Sequence, residues 1–233
     1  MRLIKLDKSI IPSLDVSTLA QLRKVVSSTC DVKGIGAYKI GFELVIPFGM
    51  VKVCEEIRKI TKLPIIYDHQ KAATDIPDMG EKFVSACADA DSIIFFPQAG
   101  PITQEAWIKA AQKAKKHVIV GGEMTHSGFL QSDNGYLMDN SPDRVYSLAA
   151  QLGVSDYVVP GNKPERIAHY HKLLVSKGIK PIFYSPGLVA QGGSITEGAK
   201  AAGERWHAII GRGIYGAKDM RKVAEEFVSQ LGN

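Results

Sequence analysis

The chain has 233 residues, 45% hydrophobic and 23% charged, the balance of a globular protein with one large domain or two small ones. Its 29 basic and 24 acidic residues leave a net charge of +5, carried by lysines scattered over many segments. A nucleic-acid-binding face would concentrate that charge among aromatics, which here make up 8%, and no apolar run approaches the roughly 18 residues of a membrane span.

Short β-rich runs alternate with helix-like segments along the whole chain. The predicted strands cover residues 10–16, 36–42, 64–68, 92–96, 117–121, 157–159, 181–185 and 207–211. Between them, apolar residues recur at spacings of three and four, as in Leu19-Leu22-Val25-Val26, Val51-Cys54-Ile57-Ile60, Trp107-Ile108-Ala111-Ala114 and Ile167-Tyr170-Leu173-Leu174. A closing helix is predicted over 220–231. Eight β-then-α units with no long linker predict a single (β/α)8 barrel over 1–233, with a doubly wound open sheet as the alternative. The three cysteines (Cys30, Cys54, Cys87) lack metal-ligand spacing, and no signal peptide opens the sequence. A cytoplasmic protein with reduced thiols is expected.

A barrel of this kind holds its site at the C-terminal rim of the strands, and polar groups gather there. Strand one ends near Asp15, strand two near Lys39 and strand three at Asp68. Strand five runs into Glu123-Met-Thr-His126, strand six into Pro160-Gly-Asn-Lys163, strand seven into Ser185-Pro-Gly187 and strand eight into Gly211-Arg212. The densest signal is Asp68-His-Gln-Lys71-Ala-Ala-Thr-Asp75, which places two acids and a lysine within eight residues behind a buried strand. One reading is structural, with Asp75 as a cap and Lys71 paired to Asp68. The other sets Lys39, Asp68, Lys71 and a further acid in alternating sign around a pocket, so that each charge survives burial and an ammonium can protonate carbon.

The glycines around Arg212 allow backbone N–H groups to approach an oxyanion, and the arginine adds a charged fork. With Gln191 and its glycines in loop seven, this predicts a phosphate site. Thr125 and His126 are weaker candidates, His69 reads as orienting or packing, and His169 and His171 read as surface residues.

Ser13-Leu-Asp15, Tyr38-Lys39-Ile-Gly, Asp68…Lys71…Asp75-Ile-Pro77, Glu123-Met-Thr-His126, Val159-Pro-Gly-Asn-Lys-Pro164, Ser185-Pro-Gly…Gln191-Gly-Gly and Ile210-Gly-Arg212-Gly-Ile-Tyr215 occur in order along the chain. Together they resemble the orotidine 5′-phosphate decarboxylase family over almost the whole sequence. The resemblance implies decarboxylation of orotidine 5′-monophosphate to UMP in pyrimidine biosynthesis, without metal or organic cofactor. It makes Lys71 the donor of a proton to C6, sets Asp68 and Lys39 beside the departing carboxylate, and gives Asp15 and Lys39 to the sugar. Asp75 would cross a homodimer interface into the partner's site, and Ile76 would be among the substrate-binding residues. Thr125 would read the pyrimidine edge, Gln191, Gly211 and Arg212 would take the 5′-phosphate, and Pro186 and Gly187 would be among the substrate-binding residues.

Two positions depart from the family's commoner pattern. Its Asp-x-Lys-x-x-Asp cluster is here Asp68-x-x-Lys71-x-x-x-Asp75, which requires a bulge after Asp68 because one extra residue inverts side-chain direction in a strand. Met79 stands where many members carry a ribose-binding threonine. Two alternatives remain in view: a magnesium-dependent phosphosugar decarboxylase or synthase of the same barrel superfamily, which carries an acid at the position of Lys39, and a non-catalytic nucleotide-phosphate-binding barrel. Neither a nucleic acid nor a membrane is an expected partner.

Overall fold

Parallel strands alternate with helices throughout the computed structural model, which describes residues 2–69 and 75–232. The strands are β1 (Lys8–Pro12), β2 (Tyr38–Gly41), β3 (Ile65–Asp68), β4 (Ser92–Phe95), β5 (His117–Gly121), β6 (Asp156–Val158), β7 (Ile182–Ser185) and β8 (Trp206–Ile210). The first helices are α1 (Leu19–Thr29), α2 (Phe42–Phe48), α3 (Met50–Arg58), α4 (Gly80–Ala86) and α5 (Pro101–Lys113). They are followed by α6 (Ser141–Gln151), α7 (Pro164–Ser176), α8 (Ile195–Ala202), the short α9 (Arg212–Tyr215) and α10 (Met220–Ser229).

The sheet runs β1-β8-β7-β6-β5-β4-β3-β2. Pairing of the first strand with the last, from Lys8↔Trp206 to Pro12↔Ile210, is what an open doubly wound sheet lacks. Isolated bridges Ile10↔Ile35 and Ser13↔Lys39 bring β1 to β2 and nearly close the barrel. β1 ends earlier than the sequence suggests. Ser13 N–H still donates to Ile210 O at 2.9 Å, but Leu14 N–H turns to Lys39 O at 2.8 Å, so the chain leaves β8 for β2 before Asp15.

Both faces of each strand are buried, and side-chain alternation divides them into two layers. Along β8, Trp206, Ala208 and Ile210 pack outward under the helices. Ile209 points inward to meet Ile11, Ile66, Ile94 and Ile119. On α1, Leu22, Val25, Val26 and Thr29 form the buried face, each large aliphatic side chain contributing about 1.5–3 kcal/mol. Side-chain caps start three helices: Thr18 accepts from Gln21 N–H at 3.2 Å, Ser194 from Glu197 N–H at 3.3 Å and Asp219 from Lys222 N–H at 3.0 Å.

At the N-terminal end of the barrel the interior is polar. His207 Nδ1 lies 2.8 Å from Ser9 Oγ, Tyr184 donates to Asp156 Oδ1 at 2.9 Å, and His117 Nε2 lies 3.0 Å from the same carboxylate oxygen. Among the described residues, no helix is long and apolar enough to cross a membrane.

Candidate active site

The polar layer at the opposite end opens into a cavity of about 270 Å³. It is lined by Asp15, Lys39 and Asp68, by Thr125, Pro186, Gly187 and Gln191, and by Gly211 and Arg212, with Gly211 next to Asp15. Ile94, Phe96, Val158 and Ile209 give it an apolar floor. Thus residues from all eight strand-ends, spread over about 200 positions of sequence, meet at one rim.

Lys39 reaches the interior because Tyr38 points outward, where its hydroxyl lies 2.7 Å from Thr29 Oγ1. The Lys39 Nζ donates to Asp15 Oδ1 at 3.2 Å and to Asp68 Oδ2 at 3.4 Å. Its side chain is only 6% exposed. Burial alone would lower the ammonium's pKa, but Asp68 and then Asp15 outweigh it, and the net shift is upward. Lys39 is therefore a fixed cation. Asp15 is held on its other side by Ser13, whose hydroxyl donates to Oδ2 at 2.6 Å.

In loop seven, Gly187 has φ +89°, and a Cβ there would lie 2.5 Å from Thr125 Cγ2. Only glycine fits between Thr125 and Gln191. The turn continues through Val189, whose N–H donates to Gly193 O at 2.9 Å. Arg212 is exposed at the mouth and follows Gly211, which borders Ser13 and Asp15.

Other sequence candidates lie elsewhere. Lys71 is outside the described residues. Asp75 and Ile76 line a separate surface recess with Pro77 and residues 99–103; Asp75 Oδ1 accepts its neighbour Ile76 N–H at 2.7 Å. Met79 packs against the hydrophobic core. His126 is exposed beside Phe129, and His69 contacts the Tyr67 hydroxyl and the Phe83 ring. His169 pairs with Asp143 on the surface. Among the described residues, no group of three or more His, Cys, Asp or Glu side chains is arranged to hold a metal ion.

Sequence reasoning gave no role to Glu123, Ser13 or Tyr215, all of which line the cavity. A signal for Glu123 was present in Lys163 and Arg166, two cations one helical turn apart at the start of α7.

A model of the "Orotidine 5'-phosphate decarboxylase / HUMPS family" matches residues 8–227. A curated relative, orotidine 5'-phosphate decarboxylase of Pyrococcus furiosus, is 32% identical over 225 residues, which cover 95% of this chain and 97% of that protein. The orotidine 5'-phosphate decarboxylase of Methanocaldococcus jannaschii is 29% identical over 220 residues, 94% of this chain and 96% of the relative. A crystal structure of orotidine 5'-monophosphate decarboxylase from M. jannaschii, complexed with the inhibitor BMP, superposes with a TM-score of 0.84 at 27% identity, covering 97% of this chain and 99% of that one. The match spans every strand of the barrel, and the chain belongs to the orotidine 5'-phosphate decarboxylase / HUMPS family.

Proposed function

We propose that this protein decarboxylates orotidine 5′-monophosphate to UMP without a metal or organic cofactor. The observation that carries the reading is the Asp15–Lys39–Asp68 arrangement in a cavity that Gln191, Gly211 and Arg212 also line. The acid–lysine arrangement suits a reacting carboxylate and a sugar, and the glutamine, glycine and arginine suit a phosphate dianion.

In this reading Asp68 and Lys39 flank the substrate carboxylate and Asp15 accepts from a ribose hydroxyl. Thr125 reads the pyrimidine edge. The bond from C6 to the carboxylate carbon breaks, its electron pair stays on C6, and carbon dioxide leaves. The Lys71 ammonium then gives C6 its proton. The barrier falls because cationic groups are fixed before charge develops on the ring. Phosphate binding, remote from C6, supplies energy to order loop seven over the site.

Metal independence is supported by the place of Lys39. Its ammonium lies between the two carboxylates that would otherwise serve as ligands, where it would repel a divalent cation. That argument disfavours a magnesium-dependent phosphosugar enzyme. Homodimer formation, with Asp75 entering the partner's site, is supported by the exposure of Asp75 together with Ile76 at 59% and Ile102 at 69% around the same recess.

The test is loss of orotate-ring absorbance when purified protein meets orotidine 5′-monophosphate, with and without EDTA. Turnover that survives the chelator, and is abolished in Lys71→Ala while UMP binding persists, is the expected result. No turnover, or turnover restored only by magnesium, would refute the reading.

A further inference from the structure

Glu123 is 3% exposed and lines the cavity just beyond the end of β5. Its Oε1 accepts from Lys163 Nζ at 3.0 Å. Its Oε2 accepts from Arg166 Nε at 2.7 Å and from the Tyr170 hydroxyl. Arg166 also donates to the Tyr170 oxygen at 2.5 Å. Burial pushes the Glu123 pKa up, but hydrogen bonds from Tyr170, Arg166 and Lys163 outweigh it and bring it below the usual carboxylate range. The group stays ionised and has no proton to give. A well-packed apolar cluster could fill the same volume with equal stability, so packing does not account for this one.

The same helix start also grips the backbone of the loop. Lys163 Nζ donates to Met124 O at 3.1 Å, and Asn162 Nδ2 donates to Thr125 O at 3.0 Å. The loop holding Thr125 over the cavity is thus fixed at three consecutive residues from α7 and the turn before it. The phosphate end is tied to this turn by a main-chain bond, Gly161 N–H to Pro186 O at 2.8 Å, which side-chain substitutions leave in place.

We propose that Arg166 and Tyr170, acting through Glu123, are positioning residues that set Thr125 for recognition of the pyrimidine and leave phosphate binding untouched. The inference rests on the functional reading above. Loosening the clamp lets Thr125 drift from the base edge, while Gln191, Gly211 and Arg212 keep their grip on phosphate. Base affinity and base selectivity should fall together.

The experiment measures binding of UMP, CMP and ribose 5-phosphate by calorimetry to wild type, Glu123→Gln and Tyr170→Phe, alongside kcat and KM. Tyr170→Phe keeps the ring and serves if Glu123→Gln folds poorly. Expected is about a tenfold loss of UMP affinity, a narrowed preference for UMP over CMP, and ribose 5-phosphate binding within about twofold of wild type. Equal losses for all three ligands would reduce the cluster to a structural one and overturn the inference, as would unchanged selectivity in both variants. A wild type that turns over substrate but shows parallel losses sinks only this inference; a wild type with no turnover sinks the functional reading itself.

Discussion

The Lys39 ammonium sits between two carboxylates, 3.2 Å from Asp15 Oδ1 and 3.4 Å from Asp68 Oδ2. One cation serving two anions leaves no slack, since each carboxylate is held in place by the charge it shares. Lys39→Met should lower kcat/KM by at least about 10²–10³-fold, the scale for removing one preorganised electrostatic partner. Steady-state kinetics and a thermal melt on the same preparation check it. An active enzyme with unchanged kinetics would remove Lys39 from the site. Lys39→Asp, in contrast, would place three carboxylates together, and magnesium should raise the melting temperature of that variant but not of wild type.

Arg212 is exposed and lines the cavity with Gly211 and Gln191. If it grips a phosphate dianion, Arg212→Ala loses a charge-assisted hydrogen bond of about 1.5–3 kcal/mol, or about 10–100-fold in KM. Orotidine, which lacks the phosphate, should react equally slowly with variant and wild type. A similar loss on both substrates would mean that Arg212 acts on the base or on folding.

These features were unequally legible in the sequence. Barrel and rim could be read because seven of the eight apolar runs lead into a polar residue, and the strand period of two fixes which side chain faces in. Lys39 could be read for the same reason: it follows Tyr38, and one of the two must point inward. Asp15 was placed at a strand end, although β1 stops at Pro12 and Asp15 rides on the loop beyond it. Local propensity cannot report that Leu14 exchanges β8 for β2, because the exchange is a long-range bond to Lys39 O. Glu123 was visible as a motif member but not as a clamp. Its partners lie 40–47 residues ahead, and only the adjacency of β5 and β6 brings them together.

At the other end of the barrel, burial holds the His207 imidazole neutral and lowers its pKa from 6.5 to about 4, against a smaller upward pull from Asp156. A depressed folded pKa means that the unfolded chain takes up the proton first. The associated stability is present above pH 6.5 and is lost as pH falls toward 4. From pH 7 to 4.5 the wild type should lose about 2–3 kcal/mol from this group alone. Asp156 acts at lower pH. Burial raises its pKa, but the hydrogen bond and charge of His117 prevail, so its contribution disappears only as pH drops below the ordinary Asp value. Urea unfolding of wild type and His207→Gln at both pH values gives the comparison; equal losses in the two proteins would show that His207 is not the titrating group.

The dimer proposal predicts an outcome no monomeric enzyme can give. Asp75 faces an exposed recess bordered by Ile76, Pro77 and Ile102, away from the cavity that holds Asp15, Lys39 and Asp68. If each site takes Lys71 from one protomer and Asp75 from the other, Lys71→Ala and Asp75→Ala homodimers should both be nearly inactive. A hybrid of the two has one site with both defects and one with neither. Random exchange in an equal mixture makes half the dimers hybrids, so activity should recover to about a quarter of wild type per site, as two-fold symmetry requires. Co-refolding the two variants and following orotate absorbance measures it. Activity that stays at the level of the parents, while sedimentation shows that hybrids have formed, would place Asp75 in its own protomer's site or in none.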